Sequence, residues 1–167
     1  AQEAEPGSDH QLAFARAWAS AAASPEHVAE IRALLHGATD ILPGLTVDTD
    51  LRWYLLQRLV IIGAADDAAI DAELARDDTA SGARHAALAR AARPTPDAKA
   101  EAWLAAVESD ALPNAILAAT VRGFAPPEQR HLIRPYVPRY LEAVPKVWAE
   151  RTNESAQTVI AGLFPRI

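Results

Sequence analysis

The stretch SPEHVAEIRALLHG, residues 24–37, carries the full set of signals for one short α-helix. Ser24 is a favoured N-cap residue, Pro25 suits the first helical position, and Glu26 places a negative charge in the first turn. Gly37 can adopt the left-handed conformation that ends many helices. The apolar positions at helical spacing are Val28, Ile31 and Leu35. The stretch therefore predicts an amphipathic helix with one buried face.

Similar signals recur along the whole chain, whereas alternating strand patterns are almost absent. Helix starts are predicted at Ser8, Asp48 or Asp50, Asp66, Thr79 or Ser81, Thr95, Pro113, Pro126 and Pro127, Pro135, and Thr152. Helix pairs open near positions 8, 48, 79 and 113, about 30 to 40 residues apart, as in stacked helix-pair repeats. We predict a single all-α domain over residues 1–167, an α-α superhelix of about ten helices in HEAT-like antiparallel pairs.

Four local patterns add detail to this prediction. Gln11, three residues after Ser8, suggests a capping box. Apolar residues on two faces of the helix from Leu51 to Ile62 indicate that it lies between neighbours. The Ala-rich fifth helix should let a neighbour approach closely. Prolines inside the segment from residue 135 to 151 predict a bent helix or two short ones.

Composition excludes several classes of function. The chain has 167 residues, 50% hydrophobic and 23% charged, and a net charge of −6, so a nucleic acid or an anionic membrane is not an expected partner. It has no Cys, which rules out disulfides and thiolate metal sites and fits a reducing compartment. We expect a cytoplasmic protein without a membrane span, because Gln57 and Arg58 interrupt the longest apolar stretch.

The chain has no Met, not even at position 1, so we interpret it as a processed chain or a piece of a longer one. The start Ala1-Gln2-Glu3-Ala4 is compatible with a mature terminus left by signal-peptide cleavage. An internal fragment is the favoured interpretation.

The sequence nominates no catalytic residue and no metal ligand. None of the five histidines lies three or four residues from another, and no H-E-x-x-H occurs. Asp48-Thr49-Asp50 is similar to the start of a calcium loop, but Trp53 stands where that loop needs Gly. The nucleophile elbow G-x-S-x-G is also missing. The acids and Ser residues are therefore interpreted as helix caps.

One charge asymmetry suggests a binding surface. Residues 122–151 hold six basic residues against three acids, Glu128, Glu142 and Glu150. The basic residues are Arg122, Arg130, Arg134, Arg139, Lys146 and Arg151. Arg130 and Arg134 share a face if one helix runs through both. The segment is either a solvated face with salt bridges or an anion-binding surface, for instance for a peptide carboxylate. Arg130 and Arg134 are our candidate peptide-binding residues.

Several short stretches, read in order, cover nearly the whole chain. They are Gly44-Leu45-Thr46-Val47-Asp48-Thr49-Asp50-Leu51-Arg52-Trp53, Glu73-Leu74, Lys99, Trp103, Leu112-Pro113-Asn114, Gly123-Phe124, Pro135-Tyr136-Val137, Tyr140, Trp148, Arg151 and Leu163-Phe164-Pro165. This ordered set resembles the C-terminal helical domain of bacterial aminopeptidase N, a zinc metallo-aminopeptidase. The endoplasmic-reticulum aminopeptidases have a related domain.

The resemblance implies that the chain is a fragment of that domain in an enzyme that removes N-terminal residues from peptides. In that family, an H-E-x-x-H motif and a downstream Glu hold zinc in the catalytic domain. Neither is in this chain, so no catalytic residue and no cofactor can be assigned to it. The implied role is to close the chamber over the active site and limit entry to peptides. The implied partners are the catalytic domain of the same polypeptide and peptide substrates.

Two other hypotheses stay open at this point. The chain is a free-standing helical-repeat scaffold with a protein partner, or it is a self-sufficient hydrolase with an unrecognised site. The parent reading frame separates the first from the aminopeptidase interpretation, and turnover of an amino-acid nitroanilide with zinc tests the second.

Overall fold

The computed structural model describes residues 4–165, and these residues form helices, turns and loops with no β-strand among them. The α-helices are α1 (Asp9–Ser20), α2 (Pro25–Leu35), α3 (Thr49–Ile61), α4 (Asp67–Arg76), α5 (Ala80–Ala91), α6 (Pro96–Trp103), α7 (Asn114–Phe124), α8 (Arg130–Ile133), α9 (Tyr136–Glu150) and α10 (Asn153–Gly162). A π-helical turn, Leu104–Glu108, follows α6, and a 3-10 turn, Pro127–Gln129, precedes α8. The all-α prediction is confirmed.

The chain divides into two compact units, the first of which ends at Ala65 and the second of which begins at Asp66. The prediction of a single domain over residues 1–167 stays a prediction. Of the possible mature terminus Ala1-Gln2-Glu3-Ala4, only Ala4 belongs to the described residues. Within residues 4–165, no helix has both the length and the apolar character needed to cross a membrane.

In the first unit, α3 packs against both α1 and α2. Its buried residues are Leu51, Trp53, Leu55, Leu56, Leu59 and Val60. Polar contacts join the same helices, since Arg52 donates to the carbonyl oxygen of Leu35 at 2.7 Å and the Tyr54 hydroxyl donates to that of Arg16 at 2.9 Å. The prediction that α3 lies between neighbours is confirmed.

Side-chain caps start most of the helices, as predicted. Of the alternatives, Asp48 caps α3 and Thr79 caps α5. The capping box at α1 is only half right. Ser8 Oγ accepts from the Gln11 amide at 3.2 Å, but the Ser8 amide donates to the carbonyl oxygen of Glu5 at 3.1 Å. The Gln11 side chain therefore bonds elsewhere, accepting from the Gly7 amide at 2.7 Å.

In the second unit, α5 packs most extensively against α7, and α7 also contacts α10. The α5 surface is small, with Ala86 and Ala89 fully buried, so α7 can come close. A Cβ atom on Gly123 of α7 would lie 2.2 Å from the carbonyl oxygen of Leu88, so only glycine fits there. The predicted close approach to the Ala-rich helix is confirmed.

Prolines do not divide α9, which is one helix from Tyr136 to Glu150. Pro138 lies in its first turn, where no intrahelical donor is lost, and Pro145 lies inside it. The predicted helix pairs begin with α1, α3, α5 and α7. In the first unit α1 contacts α3, and in the second unit α5 contacts α7. That is the pattern expected of stacked pairs, and the superhelical path of the whole chain stays a prediction.

Candidate functional site

The candidate peptide-binding residues Arg130 and Arg134 lie at the two ends of α8. Both side chains are exposed. Both residues have right-handed helical backbone angles, and the Arg134 amide donates to the carbonyl oxygen of Arg130 at 3.1 Å. The helix therefore runs through both positions, as the four-residue spacing required. Within residues 4–165, neither guanidinium group forms an ion pair or a side-chain hydrogen bond.

Two contacts with the rest of the second unit hold the short helix α8 in place. Ile133 is buried, and the side chain of Gln129, just before α8, donates from Nε2 to the carbonyl oxygen of Ala92 at 2.7 Å. Ala92 is the C-cap residue of α5. This hydrogen bond joins the start of α8 to the end of α5.

A buried lysine closes the same end of α5. Lys99 of α6 is fully buried, and its Nζ donates to the carbonyl oxygen of Ala91 at 2.7 Å. The ring of Phe124 lies beneath it, with the ring centre 5.9 Å from Nζ. Burial, and to a smaller extent the positive charge of Arg93, lowers the pKa of Lys99 to about 7. The ammonium group is thus a helix cap in the interior rather than a surface charge.

The other cations of the basic segment divide into two groups. Arg122, Arg139 and Lys146 are exposed, and the Arg139 guanidinium lies 5.4 Å from the centre of the Tyr136 ring. Arg151 is different, because its side chain is only 6% exposed. The basic segment is therefore not one uniform surface.

Arg151 caps the π-helical turn. Its guanidinium donates to the carbonyl oxygens of Ala106 at 2.7 Å, Val107 at 2.8 Å and Ser109 at 2.5 Å. The carboxylate of Asp110 lies 3.9 Å from its Nε. Three carbonyl oxygens at the end of one turn accept hydrogen bonds from this guanidinium group, so Arg151 has a structural role.

A cleft of about 340 Å³ lies beside the π-helical turn and α9. Its charged lining residues are Glu108, Arg139, Glu142 and Lys146. The apolar wall includes Trp103, whose indole nitrogen donates to Glu108 Oε1 at 3.1 Å. Charges of both signs line this cleft, which gives it less preference for an anion than the arginine pair on α8 has.

The arginines at the end of α5 show the contrast. Arg90 bonds Asp71 at 2.6 Å, while Arg93 bonds Asp67 and, at 2.5 Å, Glu101. These guanidinium groups are neutralised by carboxylates. Arg130 and Arg134 have no such partner in the part of the chain that the structure describes, so their charge stays available to an anionic ligand.

Two of the interior caps were not predicted. Lys99 shares its helix face with Ala102 and Trp103, three and four residues on, and that spacing is the signal of a buried position. Arg151 directly follows the last residue of α9, where a basic residue commonly caps carbonyls. Its carbonyl partners lie more than 40 residues away in sequence, and no local pattern points to them.

Metal ligation finds no support in the described residues. Between residues 4 and 165, no three His, Cys, Asp or Glu side chains are grouped so that they could hold a metal ion. His27 packs its ring edge-on against Trp18, with ring centres 6.3 Å apart. What the arrangement offers is an exposed pair of positive charges on α8.

Comparison with known proteins identifies the family of this chain. The model of the ERAP1-like C-terminal domain family matches residues 1–167. A curated protein named aminopeptidase N, from Streptomyces lividans, is 53% identical over 164 residues, which cover 98% of this chain. The chain spans only 19% of the length of that relative. This helical chain therefore belongs to the ERAP1-like C-terminal domain family and is similar to a corresponding part of an aminopeptidase N.

Proposed function

We propose that this chain is the non-catalytic domain of a zinc aminopeptidase, and that it closes the chamber over the active site and limits access to peptide substrates. The observation that carries the proposal is the family match over residues 1–167, together with the close relative named aminopeptidase N. The reaction itself, removal of N-terminal residues, takes place in a separate catalytic domain of the same polypeptide. A cytoplasmic location is part of the proposal, supported by the absence of Cys.

The arginine pair on α8 is proposed to contact the substrate. Arg130 and Arg134 are exposed, lie one helical turn apart and have no carboxylate partner among residues 4–165. A guanidinium group forms charge-assisted hydrogen bonds with a carboxylate, and two on one face attract an acidic side chain or a free carboxyl terminus. A chromogenic amino-acid derivative is too short to reach this surface, so only peptides should depend on it.

The test uses the longer enzyme that the proposal requires. The double variant Arg130→Ala/Arg134→Ala should lower kcat/KM for a nine-residue peptide by about tenfold, roughly 1.4 kcal/mol, and leave alanine nitroanilide hydrolysis unchanged. The matched control is Arg84→Ala/Arg122→Ala, which removes two exposed charges that lie outside α8. Equal losses of kcat/KM on both substrates would contradict the proposed substrate contact. Equal losses of kcat/KM in the two double variants would also contradict it.

The chamber itself has a separate test. The enzyme should remove the N-terminal residue of a peptide and leave the same residue in place when the peptide is fused to the front of a tightly folded protein. Equal rates on the two substrates would contradict a closed chamber. A reading frame of the parent gene without an H-E-x-x-H motif outside this region would favour the scaffold hypothesis instead.

A further inference from the structure

Helix α9 carries two apolar faces, and the hydrophobic core of the second unit accounts for only one of them. Tyr136, Tyr140 and Val147 are buried in that core. On another side of the same helix, Leu141 is 66% exposed and Trp148 is 56% exposed. A helix on the surface of a globular domain has one apolar stripe, so a second stripe needs a reason.

The exposed side chains form a continuous surface. Leu141, Pro145 and Trp148 follow one another at spacings of four and three residues, which places them on one side of the helix. Pro145 is also exposed. We call this set the outer face of α9. Isolated exposed apolar residues are common, but a Leu and a Trp in register on one helix indicate a contact surface.

We propose that the outer face of α9 is the contact surface for an apolar patch on another domain of the same, longer polypeptide. The inference rests on the proposed function. Its support is the length of the relative, of which this chain covers 19%, so most of such a polypeptide lies outside the residues described here. A second helix face that is apolar is what a domain within a larger chain would present to its neighbour.

Size argues for a covalently joined partner over a second copy. A wholly buried aromatic residue covers about 150–250 Å², and Trp148, the one aromatic of the three, is already partly covered, so the outer face of α9 offers at most roughly 400 Å². A stable dimer needs about 800 Å² on each partner. A domain in the same polypeptide needs less, because the linker keeps its effective concentration high. The outer face of α9 therefore fits an intramolecular contact.

The experiment is oxidative labelling of tryptophan in the longer enzyme, read by mass spectrometry. Trp148 should be labelled at least about tenfold more slowly in the folded than in the urea-unfolded enzyme, whereas an exposure like that seen here allows only about a twofold difference. Trp103, which is 4% exposed, reports whether the second unit is folded. Labelling of Trp148 within twofold of the unfolded rate, while Trp103 is protected, would overturn the proposal.

Two further measurements complete the test. Leu141→Asp should restore labelling of Trp148 in the longer enzyme and leave Trp103 protected, whereas Glu150→Gln, an exposed change on the same helix, should leave both protected. Protection of Trp148 in the 167-residue chain alone, growing with protein concentration, would mean a second copy and overturn the proposal. Selectivity for peptides over folded proteins is measured separately. If the enzyme showed no such selectivity while Trp148 stayed protected, the proposed chamber function would be wrong and the contact at α9 would still stand.

Discussion

The interior of the second unit and its α8 surface use the same kind of side chain for opposite purposes. Lys99 and Arg151 direct their charges to backbone carbonyls at helix ends. Arg130 and Arg134 direct theirs to solvent. Three of these four residues belong to one basic segment of the sequence, and only their surroundings separate them. The guanidinium group of Arg151 stabilises a helix end, whereas burial disfavours the charged form of Lys99. Charges without a partner are the ones available for binding.

Close helix packing should give the largest effect. Gly123→Val would place a side chain against the carbonyl oxygen of Leu88, where even a Cβ atom would lie at 2.2 Å, and α5 would have to move away from α7. We expect a loss of at least about 3 kcal/mol in the free energy of unfolding, measured by urea titration. Ala115→Val is the control, because it adds the same side chain at an exposed position of α7. Equal losses of unfolding free energy for the two variants would show that α5 and α7 are not closely packed at Gly123.

The Arg151 cap should give the next largest effect. Arg151→Met removes three hydrogen bonds to carbonyl oxygens and should cost about 3 kcal/mol of stability, since a charged donor is lost and its acceptors stay partly buried. The matched change Arg134→Met, on an exposed arginine, should stay within about 0.5 kcal/mol. If urea unfolding of the two variants gave the same midpoint, the division between interior and surface charges would be wrong.

The buried ammonium group of Lys99 should make stability depend on pH. Its pKa is about 7 in the folded chain and ordinary in the unfolded chain, so between these values the unfolded chain binds more protons and stability rises with pH. Relative to Lys99→Met, the wild-type chain should gain on the order of 2 kcal/mol between pH 7 and pH 9. The measurement is urea unfolding of both proteins at several pH values. If the difference in unfolding free energy between the two proteins did not change with pH, the Lys99 ammonium group would be exposed to water in the folded chain.

Surface charge should give the smallest effect on stability. Removing both Arg130 and Arg134 leaves no buried group without a partner, so the double alanine variant should unfold within about 0.5 kcal/mol of the wild type. Circular dichroism during thermal unfolding checks this. A loss of several kcal/mol would mean that the pair is structural, and its proposed contact with peptides would lose its basis.

The sequence predicts the local parts of this molecule well. The caps at Ser24, Asp66 and Thr95 follow from residue type and position alone, because an N-cap bonds a backbone amide three residues away. The small surface of α5 also follows from its alanines. The exposed arginine pair was found through a charge count, and its helical spacing through the four-residue separation.

Local sequence patterns did not predict the interior contacts between residues that are distant in the chain. Gln11 has the spacing of a capping box, but its amide reaches Pro43, 32 residues away, because the Ser8 amide already has an acceptor. Arg151 was counted with the surface cations, and its carbonyl partners are set by how α9 ends beside the π-helical turn. A long flexible side chain finds its partner only after the helices have packed, so its role depends on tertiary structure.

We propose that this chain acts by contact and that the reacting groups lie in another domain. The most direct measurement is release of nitroaniline from alanine or leucine nitroanilide by the 167-residue chain supplied with zinc. We expect a rate equal to that of zinc in buffer alone, since residues 4–165 hold no group of ligands for a metal ion. Turnover that increases with the concentration of the chain and stops on removal of zinc would contradict it.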